Sequence, residues 1–169
     1  MKLLSEYSFV PSPENVDELY RSLGMSYPKF FKMDLMSKAS LLAAERVLLS
    51  AGLRSDETKP DMAVVLVNST SSAIDDIEFQ KTISKESFFP SPSLFVYTLP
   101  NVACAEIAIR NRIMGETSFY LRSSYSEDFL FKAAGWAFSD PSCRKVLCGW
   151  TECLTDTPLC RMMLLERDI

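Results

Sequence analysis

The sequence predicts an α/β fold: one unit with a mixed, mostly parallel five-stranded sheet and helices on its faces. Three observations carry this. Strand-like and helix-like segments alternate along the whole chain, which is the signature of a sheet wound with helices. The run 62–67, MAVVLV, is continuously apolar and β-branched, as a strand covered on both faces must be. Residues 115–134, GETSFYLRSSYSEDFLFKAA, pass from a glycine through a short β-prone run into a polar elbow and then a helical pattern. A strand that turns sharply into a helix is where α/β enzymes place a nucleophile. A chain of 169 residues is of single-domain length, so residues 1–169 are read as one domain. It can bury roughly two thirds of its unfolded surface.

Taken in order, residues 2–10 read as a first, edge strand, ended by Pro11 and Pro13. Ser12 or Pro13 opens a short helix to Leu23, with Gly24 as its stop. Residues 27–33, with Pro28 and several aromatics, read as an irregular link. Asp34 is a good N-cap for a helix over 35–53. Its apolar stripe (Leu41, Leu42, Ala44, Val47, Leu48, Ala51) is too broad for a surface helix, and Gly52 supplies the stop. Residues 54–60 form a charged loop before the strand 62–67.

The polar cluster Asn68, Ser69, Thr70, Ser71, Ser72 follows at that strand's carboxyl end. In open α/β sheets sites gather there, although the cluster serves equally as the entry to a helix starting near Ala73. Residues 88–100, punctuated by prolines, read as extended. Asn101 is expected to cap a helix running to Met114, closed by Gly115. The strand 117–121 and the elbow come next, then a helix over 128–138. Strands over 145–150 and 159–165 close the chain as an antiparallel pair.

Composition removes whole classes of function. The formal net charge is −4, with no run of one sign, which argues against a nucleic-acid partner. No stretch approaches the ~20 apolar residues of a membrane span. There is no histidine, so Ser–His and Cys–His catalysis is excluded within the chain, and acid–base work falls to carboxylates, lysine or tyrosine. The five cysteines (Cys104, Cys143, Cys148, Cys153, Cys160) form no CxxC pair and lie mostly in apolar surroundings. They read as buried thiols of a cytoplasmic protein, with no metal site and no cofactor implied.

Several motifs, in order, resemble the N-terminal half of a β-ketoacyl synthase, of the thiolase-like class. Residues 34–53 resemble that family's "D…Aa..AL.dAGl" helix, and 62–71 its "vGvv.gt" strand and turn. PSLFVYTLPNVACAE (92–106) is similar to the segment carrying "PN" before an alanine-rich helix. Residues 115–134 resemble the "Gp…t.aCaSG…A…A" elbow, KVLCGWTE (145–152) resembles "vlvGg.E", and CRMMLLE (160–166) resembles the strand that closes the half. The likeness is nearest to the divergent ketosynthase-like domains of aryl-polyene and flexirubin-type pigment clusters.

The resemblance implies a half-fold of the thiolase-like class. Counting from Gly115, the family's nucleophilic cysteine falls on Ser124, and the glycine that usually follows it falls on Glu127. A serine needs an adjacent base where a cysteine is already partly thiolate. The family's two histidines and lysine belong to the half that would follow Ile169. The expectation is therefore a non-catalytic partner or scaffold, like a chain-length factor, in fatty-acid, polyketide or pigment synthesis. Asn68, Ser69 and Asn101 are the candidate ligand or partner contacts. The strand Ser118, Phe119, Tyr120, Leu121 is the implied dimer strand, aromatic and β-prone as a buried central strand should be.

A half-fold would also expose an apolar face. The implied partners are a second copy or a full-length ketosynthase, with an acyl-carrier protein beside them. The alternative is a small acyltransferase or thioesterase with Ser124 as nucleophile, assisted by Lys132, Glu127 or Asp128. A third reading is a binding module for a small acyl or aromatic ligand.

Overall fold

The computed structural model describes residues 1–83 and 89–168. Five strands form one sheet: β1 (Lys2–Phe9), β2 (Met62–Asn68), β3 (Thr117–Leu121), β4 (Lys145–Glu152) and β5 (Leu159–Glu166). Their order is β1-β5-β4-β2-β3. β2 pairs parallel with both β3 and β4, while β5 pairs antiparallel with both β4 and β1. Only β5 runs against the other four strands, so the sheet is mixed and mostly parallel, as expected.

Each face of the sheet carries its own core. Val64, Leu66, Leu147, Met162 and Leu164 point to one side; Val65, Val67, Val146, Cys148, Met163 and Leu165 point to the other. This double cover is why β2 reads as an uninterrupted apolar run, with all seven of its residues buried. The first face is covered by helix α2 (Leu35–Ser50), with α1 (Pro13–Ser22) and α5 (Val102–Asn111) beside it. The second is covered by α6 (Glu127–Ala137).

Helix α2 is buried nearly all round, and Ala39, Ala43 and Ala44 let it approach its neighbours closely. The Asp34 carboxylate caps it by accepting from the Met36 N–H at 2.9 Å. Gly52, at φ +73°, sits just beyond its end, which comes at Ser50 rather than Leu53.

Several expectations are corrected. Residues 92–97 are helical, not extended: Ser91 and Pro92 form the start of α4 (Pro92–Tyr97), the serine side chain capping and the proline taking the first turn. Phe88, the first residue of that expected segment, lies outside the described residues. The link 27–33 contains a turn of 3₁₀ helix (Pro28–Lys32) that buries Phe30. Asn101 precedes α5 in a helical conformation and makes no side-chain cap, because the chain enters α5 directly from the turn that ends α4. Helix α5 stops at Asn111, where Arg112 turns left-handed (φ 52°) so that Ile113 can bridge Lys59.

Gly115 is therefore not a helix stop. It begins the approach of β3 to β2, where a Cβ would collide with the Met62 carbonyl oxygen. Within the single chain the strand β3 is an edge strand, half exposed.

Candidate functional site

The strand β3 ends at Leu121 and α6 begins at Glu127, so residues 122–126 form the elbow between them. The Arg122 N–H donates to the Asn68 carbonyl at 2.9 Å, which fixes the elbow against the carboxyl end of β2. The Ser126 hydroxyl caps α6 by accepting from the Phe129 N–H at 3.2 Å. Ser124 lies between these anchors with its side chain exposed.

Ser124 opens into a cleft of about 310 Å³ that it shares with Ser69, Tyr125, Trp150 and Glu152. The sequence singled out Ser69 and Ser124 on separate grounds, and the fold brings both to one cleft. Asn68 lies beneath it, buried: its side-chain amide donates to the Ser71 carbonyl at 2.8 Å, and its Oδ1 accepts from the Ser71 N–H at 2.9 Å. This ring holds Ser71 at φ 55°, and it uses up the side chain that a ligand would need. Asn101 is exposed and does not line the cleft.

Glu152, at the end of β4, organises the site. It is 1% exposed. Its Oε2 accepts the Ser69 N–H at 3.0 Å and the Ser69 hydroxyl at 2.5 Å. Its Oε1 accepts the Thr70 hydroxyl at 2.8 Å and the N–H groups of Cys153 and Leu154, both at 3.0 Å. Burial on its own would raise this carboxyl. The Ser69 hydroxyl, the Leu154 N–H and the Thr70 hydroxyl outweigh it and hold Glu152 below the ordinary carboxylate range. A carboxylate so saturated with donors is a poor proton acceptor.

The flanks of the elbow are tied down as well. Arg161 of β5 donates to the Tyr125 hydroxyl at 2.7 Å, to Glu127 at 2.8 Å and to Glu6 of β1 at 2.8 Å. Tyr125 in turn meets Trp150 edge-on, the ring centroids 5.9 Å apart. Of the groups expected to assist Ser124, Glu127 is thus engaged by Arg161, and the Lys132 ammonium lies over the Trp136 ring at 5.7 Å. Among the described residues no hydrogen bond to the Ser124 hydroxyl forms.

The cysteines supply no ready thiolate. Burial pushes the thiols of Cys104, Cys148 and Cys160 up to about 12, and raises Cys153 further.

Glu152 enters the sequence reading only as the last residue of the KVLCGWTE motif and Arg161 has no role there, although each carries a signal. Each is a charge in a mostly apolar strand whose other charge lies away from it at one end, Lys145 opening KVLCGWTE and Glu166 closing LCRMMLLE. A charge in such a place needs partners waiting for it.

No protein-family model and no curated protein matches the chain. Solved structures do match. The ishigamide ketosynthase/chain length factor superposes with a TM-score of 0.71 at 20% identity, over 88% of this chain and 47% of that one. The ketosynthase ApeO in complex with its chain length factor ApeC, from Xenorhabdus doucetiae, gives 0.68 at 15% identity, over 99% and 79%. A β-ketoacyl synthase from Burkholderia phymatum STM815 gives 0.68 at 13% identity, over 98% and 58%.

The fold is the thiolase-like fold of the ketosynthases. The chain spans about half the length of the ishigamide protein chain it matches. Its strand–elbow–helix at Ser124 is one of the motifs on which the sequence resemblance rested. Among the described residues no helix is long and apolar enough to cross a membrane.

Proposed function

We propose that this chain is a non-catalytic ketosynthase-like subunit of fatty-acid, polyketide or aryl-polyene-type pigment synthesis, acting as a partner or scaffold in the manner of a chain length factor. One observation carries the reading. At the elbow the chain presents a serine with no base: Ser124 is exposed, the carboxylate in its cleft is saturated by five donors, and the sequence contains no histidine. A serine hydroxyl without a base is almost wholly protonated at neutral pH and a weak nucleophile. That the matching structures include ketosynthase and chain length factor pairs supports the assignment to such a system.

The partner surface in this reading is the free edge of β3. The bonds Val64 N–H to Glu116 and Arg122 N–H to Asn68 set the parity of the strand. The even-numbered residues of β3 face β2, and the N–H groups of Thr117, Phe119 and Leu121 point outward. An open edge of this kind is completed by a second strand. Leu121, Met114 and Ile109 lie exposed on and near it. The occupant is a second copy or a full-length ketosynthase, with an acyl-carrier protein as a further partner.

Incubation with acyl-pantetheine thioesters, read by intact mass, tests the reading. The expected result is no adduct. An adduct that disappears in Ser124→Ala overturns it in favour of an acyltransferase or thioesterase with Ser124 as nucleophile. Co-expression with a neighbouring ketosynthase and acyl-carrier protein tests the partnership, and recovery of the chain free of both would overturn that half.

A further inference from the structure

Helix α3 (Ala73–Gln80) leaves the Ser69–Ser72 loop and lies with its first turn against the N-terminus of α2. Two carboxyl groups meet at that junction. Asp34 is the cap of α2, its oxygens accepting from the N–H groups of Met36 and Ser37 at 2.9 to 3.3 Å. Asp75, in the first turn of α3, is 4% exposed and lies within hydrogen-bonding reach of the Asp34 side chain. Among the described residues its Oδ2 is buried without a hydrogen-bond partner, and Asp75 lines a cleft of about 310 Å³ with Met33, Leu35, Ile74, Leu94 and Tyr97. Among the described residues neither carboxyl group forms an ion pair.

Two carboxylates in hydrogen-bonding contact cannot both be ionised without repulsion, so a proton must lie between them. Asp34 has its lone pairs committed to backbone donors at a helix N-terminus, where negative charge is favoured. The proton therefore resides on Asp75, which donates. We propose that this shared proton is a latch: it fastens the first turn of α3 to the N-terminus of α2, so that α3 is held more tightly in acid than in alkali.

The surroundings reinforce the latch. Facing the pair are Asp76 and Glu78 from α3, Lys32 from the 3₁₀ turn, Tyr97 from α4 and Cys153 beyond β4. Burial first, then the charge of Asp34, raises Asp75 to about 8 from an ordinary 3.8. A carboxyl raised in the latched state binds its proton more tightly there than in the released state. The latch therefore weakens as pH rises between the ordinary and the raised value, and changes no further above the raised one.

The release has a hinge. Ser71, at φ 55°, precedes α3, and the Ser72 hydroxyl donates to the Thr98 carbonyl at 2.7 Å as a second tie. The root of α3 is the same loop that presents Ser69 to the Ser124 cleft, so its release would alter that cleft.

Amide exchange by mass spectrometry at pH 5, 6, 7 and 8, corrected for the intrinsic chemical rate, reads the latch in residues 73–80. The opening constant of α3 is expected to rise roughly tenfold per pH unit, while β2 stays protected to the same degree throughout. Asp75→Asn keeps a donor facing Asp34 and should abolish the slope with α3 closed. Asp34→Asn still caps α2 and removes the neighbouring charge while leaving Asp75 buried, so it should make the slope shallower without abolishing it, which covers the case in which the first variant fails to fold. A flat wild-type profile, a slope that survives Asp75→Asn, a slope undiminished in Asp34→Asn, or β2 opening in parallel with α3 would each overturn the proposal.

Discussion

The Glu152 carboxylate accepts both the backbone N–H and the hydroxyl of Ser69, joining the carboxyl ends of β4 and β2 across 83 residues of sequence. These strands are paired neighbours, in register from Met62↔Lys145 to Val67↔Trp150. Where the ladder ends, the side chain of one strand takes up the free donors of the other. The cleft beside Ser124 has its shape because this carboxylate keeps Ser69 and Thr70 turned inward.

Glu152→Gln should therefore be costly despite its similar size. The amide nitrogen must face a donor whichever way it is turned, since both oxygens accept from hydroxyl and N–H groups. A loss of about 3 kcal/mol is expected in urea unfolding. The pH dependence has a definite sign. Glu152 is lowered in the folded protein, so its stabilisation is complete above the ordinary value of 4.5 and is lost as pH falls through the lowered one. Wild type should lose stability in that acid window, and Glu152→Gln should lose less of it. Equal acid slopes in the two proteins would refute the role.

Gly115→Ala separates close approach from turn geometry. A Cβ at Gly115 would strike the Met62 carbonyl oxygen, a backbone atom that cannot move aside without disturbing β2. The expected loss is about 3 kcal/mol. Gly24 also lacks a side chain for a reason, its φ of +60°, but nothing lies within 4 Å of the position. Gly24→Ala should therefore cost only about 1 kcal/mol. Urea denaturation of both variants checks the difference, and equal losses would count against the packing account.

The β3 edge makes a prediction about assembly. Leu121 is 60% exposed at the end of the strand. Leu121→Lys places a charge where a partner strand would have to bury it, a device that protein edges use against pairing. Light scattering should give a dimer mass for wild type and a monomer mass for the variant, with thermal stability per chain little changed. A wild-type monomer at micromolar concentration would remove self-association and leave the heteromeric partner.

The architecture was legible because its signals are local. The unbroken apolar run of β2 announces a strand covered twice, and the breadth of the α2 stripe announces a helix buried all round. The misreadings came where one signal hid another. The prolines of 90–100 look like breakers in the sequence, whereas Pro92 after Ser91 is a helix start. Gly115 has the look of a helix stop, whereas its reason lies in Met62, which only the fold brings near. The site was legible only in part. Ser124 and Ser69 could be named from pattern, but the donors that saturate Glu152 come from two chain segments, 69–70 and 153–154, and the Asp34–Asp75 contact joins two helices. Tertiary contacts of that kind leave no trace in spacing.

The cysteines give a last test, and it bears on the elbow directly. Cys104, Cys143, Cys148 and Cys160 are buried, Cys153 is half-buried, and burial raises all five thiols. Reaction with a disulfide reagent needs an accessible thiolate, so the native protein at pH 7.5 (about the usual assay pH) should show almost no fast thiol. All five should react after denaturation. Ser124→Cys should then add one fast-reacting thiol, because the side chain is exposed and faces an open cleft. Failure of that thiol to react would mean that the elbow is covered in solution, and a second subunit over the cleft would be the first thing to look for. A fast thiol in the unsubstituted protein would contradict the burial of the native five.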